Sequence, residues 1–211
     1  MKTWDDIWVG YEPNFLARRV KQAQVKTLTK IVNKVVLPKE SEIIDIGCGS
    51  GSTLAMFRNL GYFKSIGIDI SPHSLELCSH LFGFEKGKDI FLMNARNIEF
   101  PDNSFDIVFS DGMLEHFEKP PLDIVNEFCR LSRKWILLFQ PNQTSLFGRV
   151  KWLWQKAGRA SWEKEYHYSK SDYISMLGQF GVSLTDSGSF NLNEFMWLLF
   201  SKERLSISDP A

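Results

Sequence analysis

A carboxylate and three closely spaced glycines form the part of this sequence best suited to binding a ligand. Asp45 lies two residues before Gly47. Gly49 and Gly51 follow at alternate positions. Because glycines carry no Cβ, they allow a sharp turn and a close approach of the backbone to a bound molecule. A carboxylate at the mouth of such a turn repels a pyrophosphate and attracts a cation. The pattern therefore predicts a ligand with a positively charged end.

A second acidic residue lies where the next strand is predicted to end. At that position the carboxylate of Asp69 can accept hydrogen bonds from both hydroxyls of a ribose, as in dinucleotide and adenosylmethionine sites. The dinucleotide pattern G-x-G-x-x-G/A requires Gly or Ala where this chain has Ser52. S-adenosylmethionine carries an ammonium and a sulfonium, so Asp45 favours that cofactor over a dinucleotide.

Strand and helix patterns alternate around these residues. Strands are predicted over 42–46, 65–69, 90–93, 105–110 and 135–140. Two more strands, 182–185 and 195–201, have no helix between them and predict a hairpin. The alternation predicts a doubly wound, Rossmann-like α/β fold with a mostly parallel seven-stranded sheet and an antiparallel terminal hairpin. In such a sheet, ligands bind beyond the carboxyl ends of the strands.

The whole chain, residues 1–211, is predicted to form a single domain. Residues 1–40 predict amphipathic helices, and Trp4, Trp8 and Tyr11 are candidates to close over bound molecules. Residues 143–168 are rich in aromatic side chains and follow the fifth strand. We expect this segment to form a lid over an acceptor pocket, and plain core packing is the alternative.

Composition argues against several classes of partner. Lys and Arg balance Asp and Glu at 25 each, so no global positive charge favours nucleic acid. The three cysteines are scattered, which indicates reduced thiols and no metal site. The longest apolar run has six residues, against about 20 needed to cross a bilayer. We expect a cytoplasmic protein; solvated charges in the aromatic segment are favoured over contact with a membrane surface, and the oligomeric state stays open.

The motifs resemble those of class I S-adenosylmethionine-dependent methyltransferases, especially the branch of the ubiquinone and menaquinone biosynthesis enzymes. The resemblance covers about residues 42–140. Within it, residues 45–51 resemble the first motif of the family and residues 67–71 the second. Residues 100–106 resemble the turn before its fourth strand, and residues 114–116 resemble the segment after that strand.

The resemblance implies S-adenosylmethionine as cofactor and a small molecule as acceptor, methylated on oxygen or carbon. The family usually has an Asp before Ala at the end of the third strand, where this chain has Asn94. An Asn carbonyl can still accept a hydrogen bond from an adenine amino group. The predicted cofactor-binding residues are Asp45, Gly47, Cys48, Gly49, Ser50, Gly51, Asp69, Ile70, Asn94, Ala95, Arg96, Ser110 and Asp111.

Two histidines are candidate catalytic residues. His116 follows the predicted fourth strand, where it could take a proton from an acceptor hydroxyl, and His167 is the second candidate. A purely structural role is the alternative for His116. For the whole protein, the alternatives are a nicotinamide-dependent oxidoreductase and a module that binds the cofactor without catalysis.

Overall fold

A computed structural model describes residues 15–142, 145, 146, 148–150, 153, 165, 166 and 168–202, with side chains from residue 19 onward. The strands are β1 (Ile43–Ile46), β2 (Ser65–Asp69), β3 (Ile90–Leu92), β4 (Phe105–Asp111), β5 (Ser132–Pro141), β6 (Val182–Phe190) and β7 (Phe195–Lys202). The helices are α1 (Phe15–Lys34), α2 (Ser52–Asn59), α3 (Pro72–Phe82), α4 (Leu122–Leu131) and α5 (Lys170–Gly178), and a short 3₁₀ helix spans Leu114–His116.

The strands form one seven-stranded sheet in the order β3-β2-β1-β4-β5-β7-β6. The first five pair in parallel, and β7 lies antiparallel between β5 and β6. This confirms the predicted doubly wound fold with its terminal antiparallel hairpin. The strand order reverses between β1 and β4, and a crevice opens at the carboxyl ends of strands where the order reverses. The glycine turn and the end of β4 therefore flank one crevice.

Local sequence signals explain where the elements around this crevice begin and end. All four residues of β1 are buried, as a central strand covered on both faces requires. Helix α3 begins where the Ser71 side chain accepts a hydrogen bond from the Ser74 amide, and it ends at Gly83, which adopts a left-handed conformation. Helix α1 buries Leu28, Ile31 and other apolar side chains in the cluster on one face of the sheet.

Two strands are longer than their sequence patterns predict. Strand β6 extends to Phe190 because its second half pairs with β7 as far as Phe195. Strand β5 begins at Ser132, which pairs with Phe105 ahead of an irregularity in the register. In both cases tertiary pairing extends a strand beyond its apolar run.

The amino-terminal pattern, predicted as amphipathic helices, forms the single helix α1 over the described residues. Among the helices of the described ranges, none is both long and apolar enough to span a membrane. Most of the aromatic segment 143–168 lies outside the residues that the structure describes, and so do Trp4, Trp8 and Tyr11.

Candidate functional site

A buried carboxylate lies at the carboxyl end of β1. Asp45 is 1% exposed, and neither of its oxygens has a hydrogen-bond partner within the described part of the chain. Burial is the main cause that raises the pKa of Asp45 well above its ordinary value, and the charges of Asp111 and Asp69 add to it. The charge of Lys21 acts in the opposite direction. A cation at this carboxylate would satisfy it.

The glycine turn after β1 has the conformation that its sequence predicts. The φ angles of Gly47, Gly49 and Gly51 are 76°, 52° and 77°, in the left-handed region that favours glycine. The Gly47 amide donates to the Ile68 carbonyl, which fixes the turn against β2. The turn thus places its backbone just after Asp45 at the carboxyl end of β1.

Asp69 is held in place by backbone amides at the end of β2. Its Oδ2 accepts from the Gly49 amide and its Oδ1 from the Ser71 amide, both at 2.9 Å. Each carboxylate oxygen can accept more than one hydrogen bond. The carboxylate is therefore oriented by the glycine turn while it keeps the capacity to accept from a pair of hydroxyls.

Asp111, the last residue of β4, is surrounded by donors from two helices. Gln24 Nε2 lies 2.9 Å from its Oδ2 and Lys21 Nζ lies 3.2 Å from the same oxygen. Thr53 Oγ1 on α2 lies 3.1 Å from it. The side chains of Asp45, Asp111 and Lys21 therefore lie close together at one end of the crevice.

Sequence reasoning missed Lys21 and Gln24. A signal was available, because both share one helical face with Leu28 and Ile31, at spacings of three, four and three residues. Two polar residues on an otherwise buried stripe indicate a polar partner, here Asp111.

The remaining predicted residues of the first motif and of β4 lie at the same end of the sheet. Cys48 and Ser50 are buried within the glycine turn, whereas Ile70 after β2 is exposed. Ser110 is fully buried and donates to the Ile46 carbonyl at 2.9 Å, which ties β4 to β1.

The segment after β3 carries the other predicted cofactor residues. Asn94 and Arg96 are exposed and Ala95 is partly buried. The Asn94 Oδ1 accepts from the Arg96 amide at 3.0 Å, and a carbonyl oxygen can accept a second bond. The Arg96 side chain pairs with Asp123 and lies over the ring of Phe117, 5.2 Å from its centroid.

Near the carboxyl ends of β4 and β5 lies a group of buried polar side chains. His116 is half-buried in the 3₁₀ helix and Glu115 beside it is buried. On α5, the Tyr173 hydroxyl donates to Gln140 Oε1 at 2.9 Å. Burial raises the pKa of Tyr173 well above its ordinary value, and Glu115 contributes to that shift. His167 lies outside the described residues.

These features fit S-adenosylmethionine better than a metal or a dinucleotide. Asp45 has no hydrogen-bond partner among the described residues, so its carboxylate is available to a cationic ligand, and the left-handed glycine turn follows it closely. Within the described ranges, no group of three or more His, Cys, Asp or Glu side chains could hold a metal ion.

Comparison with known proteins agrees with this geometry. A family described as a methyltransferase domain matches residues 44–135, from β1 to the beginning of β5. These residues are a class I methyltransferase domain. The predicted family is thereby confirmed, and S-adenosylmethionine is the cofactor of that class. The finer resemblance to the ubiquinone and menaquinone branch stays a prediction.

The methyltransferase domain has relatives with different acceptors. Phosphoethanolamine N-methyltransferase 3 of Arabidopsis thaliana is 26% identical over 113 residues, which are 53% of this chain and 23% of that protein. A tRNA (carboxymethyluridine(34)-5-O)-methyltransferase of Xenopus tropicalis is 31% identical over 100 residues, 46% of this chain and 15% of that protein. The chain thus matches less than a quarter of the length of either relative.

A solved structure supports the fold of the methyltransferase domain. Magnesium protoporphyrin IX methyltransferase from Synechocystis PCC 6803, crystallised with bound SAH, superposes with a TM-score of 0.69 at 19% sequence identity. The similarity covers 95% of this chain and 93% of that one. It extends the match in fold beyond the residues of the family.

Proposed function

We propose that this protein transfers the methyl group of S-adenosylmethionine to a small-molecule acceptor, on an oxygen or a carbon atom. The observation that carries the proposal is the Asp45 carboxylate, which lies beside the glycine turn, is buried and has no hydrogen-bond partner within the described ranges. When bound, S-adenosylmethionine would supply an electrophilic methyl group on a sulfonium, open to in-line displacement. The residues of the chain would bind it, align the acceptor and exclude water.

Three different parts of the cofactor would be bound by Asp45, by the glycine turn and by Asp69. The Asp45 carboxylate would accept from its ammonium, the backbone of residues 47–51 would lie against it, and Asp69 would accept from the ribose hydroxyls. Ile70, Asn94, Ala95 and Arg96 would line the adenine end. Cys48, Ser50, Ser110 and Asp111 would shape the remaining walls.

His116 is the proposed general base. It lies on the 3₁₀ helix directly after β4, beside the buried Glu115. In the neutral form its imidazole would take the proton of an acceptor hydroxyl during methyl transfer. His167 stays the second candidate for this role.

A small molecule is favoured as acceptor by charge and by burial. The chain has no net charge that would favour a nucleic acid. On the acceptor side, Glu115, Gln140 and Tyr173 are 4%, 0% and 1% exposed, so these polar groups are enclosed rather than spread over a flat surface. A tRNA or a protein surface would need an exposed contact area.

Two measurements test the proposal. We expect calorimetry to detect binding of S-adenosylmethionine and S-adenosylhomocysteine and no binding of NAD. We also expect methyl label from S-adenosylmethionine to enter the low-molecular-weight fraction of a cell extract. Label only in protein or RNA would contradict the small-molecule acceptor. Cofactor binding without any transfer would indicate a non-catalytic module. Binding of NAD alone would refute the proposed methyl transfer.

Mutation of His116 tests its proposed role. We expect His116→Asn to lower kcat by about 10²- to 10⁴-fold, because a general base contributes that much to proton transfer, and to leave the affinity for S-adenosylhomocysteine unchanged. The acidic limb of the pH–rate profile should also disappear. His80→Asn is the matched control, because His80 is exposed on α3. Equal rates for both variants would assign His116 a structural role.

A further inference from the structure

The amino-terminal helix α1 places a lysine at the end of the crevice where Asp45 and Asp111 meet. Lys21 Nζ lies 3.2 Å from Asp111 Oδ2 and 3.4 Å from Thr53 Oγ1. Its side chain is 34% exposed, so the ammonium stands at the border of the crevice and is not enclosed. The lysine is thus fixed by two contacts and open on one side.

Lys21 is not needed to satisfy Asp111. Gln24 Nε2 lies within hydrogen-bond distance of both carboxylate oxygens, at 3.1 and 2.9 Å, and Thr53 Oγ1 lies 3.1 Å from one of them. A partly exposed ion pair adds little to stability, about 0–1 kcal/mol. An ammonium has three donors, and in the described part of the chain two acceptors lie near this one. One donor is therefore available to a ligand.

The negative charge of Asp45 and the positive charge of Lys21 together match the α-amino acid end of a ligand. Asp45 presents a buried carboxylate with no hydrogen-bond partner among the described residues, and Lys21 is close enough to influence its charge. An α-amino acid end carries one ammonium and one carboxylate on the same carbon. A facing anion and cation would hold both at once.

We propose that Lys21 is a cofactor-binding residue that donates to the carboxylate of the methionine arm, opposite the ammonium held by Asp45. The inference rests on the proposed function, because it concerns the same cofactor. It adds a residue of α1 to the site and makes that helix one wall of it. It also gives the site its selectivity for a ligand with a complete amino acid end.

The test combines a change in the protein with a change in the ligand. S-adenosylhomocysteine has both charged groups, its decarboxylated analogue lacks only the carboxylate, and 5′-methylthioadenosine lacks the whole amino acid end. We expect Lys21→Met to weaken binding of S-adenosylhomocysteine about tenfold or more, the usual size of a lost charged hydrogen bond. Binding of the other two ligands should change less than about twofold, because neither presents a carboxylate.

Matched variants separate binding from folding. Lys30→Met removes an exposed lysine of the same helix and should leave all three affinities unchanged. Lys21→Arg keeps the positive charge and should retain most of the affinity for S-adenosylhomocysteine. If Lys21→Met does not fold, the wild-type protein still gives an answer, because it should bind the decarboxylated analogue about tenfold more weakly than S-adenosylhomocysteine.

Three results would overturn the inference. The first is an equal loss of affinity for all three ligands in Lys21→Met, which would mean that the lysine only stabilises the crevice. The second is no loss for any of them. The third is a wild-type protein that binds the decarboxylated analogue as tightly as S-adenosylhomocysteine. The proposed function fails separately, if the wild-type protein binds none of the adenosyl ligands.

Discussion

The position of Asp45 lowers the stability of the ligand-free protein but favours the binding of a cation. Its carboxylate is buried without a hydrogen-bond partner among the described residues, and two further carboxylates influence it. Such a group destabilises the folded state when it is ionised and free of ligand. The site therefore gives up stability for affinity, as ligand sites often do.

We expect Asp45→Asn to weaken binding of S-adenosylhomocysteine by about 10- to 100-fold, because a charge-assisted hydrogen bond to the ammonium is lost. The same variant should raise the free energy of unfolding of the ligand-free protein by roughly 1 kcal/mol at neutral pH. Calorimetry and urea denaturation measure the two effects. A variant that is destabilised and binds normally would show that Asp45 is a structural residue.

The raised pKa of Asp45 also predicts how stability depends on pH. Because the folded state holds this proton to a higher pH than the unfolded chain does, it binds more protons between the two pKa values. The contribution of Asp45 to stability is therefore most favourable below its ordinary pKa and declines as the pH rises through this range. Denaturation of wild type and Asp45→Asn across this range should reveal the difference, and parallel pH profiles would contradict it.

Gly51 is a glycine of the turn with too little space for a side chain. Its φ is 77°, and an added Cβ would lie 2.8 Å from Cys78 Sγ. We expect Gly51→Ala to lower the free energy of unfolding by about 2–4 kcal/mol, from left-handed strain and crowding together. Gly87→Ala is the control, because Gly87 has a φ of 79° and nothing within 4 Å. Equal losses in the two variants would mean that crowding at Gly51 is unimportant.

Features that depend on neighbouring residues in the sequence could be predicted, whereas contacts between distant residues could not. The acid, the glycine turn and the capped helix α3 follow from local patterns, and the structure has them at the expected positions. The contact between Lys21 and Asp111 joins positions 90 residues apart, so no local pattern specifies it. The far half of β6 is likewise defined by its pairing with β7.

Helix α4 is tied to the loop before β4 by a partly buried ion pair. Glu127 Oε2 accepts from the Ile98 amide at 2.8 Å, and the guanidinium of Arg130 bonds both oxygens of Glu127. Arg130 also donates to the carbonyls of Ile98 and Phe100. This network fixes the segment that leads from Asn94 to β4, so it supports one wall of the site from outside.

We expect Glu127→Gln to lower the free energy of unfolding by about 1–3 kcal/mol, because the partly buried Arg130 loses the more buried of its acidic partners, Glu127 and Asp102. The hydrogen bonds from Arg130 are the main cause that lowers the pKa of Glu127, and the hydrogen bond from the Ile98 amide adds to it. Its contribution is therefore complete above the ordinary pKa of a glutamate and is lost as the pH falls through the lowered value. Urea denaturation at several pH values tests this, with the exposed Glu118→Gln as control. A loss that does not diminish in acid would contradict the assignment.

In the whole molecule, the cofactor site joins elements that are far apart in sequence. Asp45 on β1, Asp69 on β2, Asp111 on β4 and Lys21 on α1 meet at the crevice. A ligand that binds only the folded state stabilises it in proportion to the logarithm of its concentration. Binding should therefore be visible as stability of the entire domain.

At about 100 times its dissociation constant, S-adenosylhomocysteine should add about 2.7 kcal/mol and raise Tm by roughly 5–10 °C. Differential scanning calorimetry measures the shift, and NAD at the same concentration serves as the control ligand. Hydrogen exchange should slow in α1 as well as in the glycine turn. Protection confined to the turn would mean that α1 takes no part in binding.

The thiols below the glycine turn offer a way to watch that turn open. Cys78 Sγ donates to the Gly49 carbonyl at 3.0 Å, and Cys48 and Cys78 are both buried. A hydrogen bond that the Cys48 thiol donates to Cys78, together with burial, raises the pKa of Cys48, so the thiol resists alkylation while the domain stays closed. Iodoacetamide would then modify these sulfurs only during transient local opening. The rate of alkylation in the native protein would therefore measure how often the glycine turn opens.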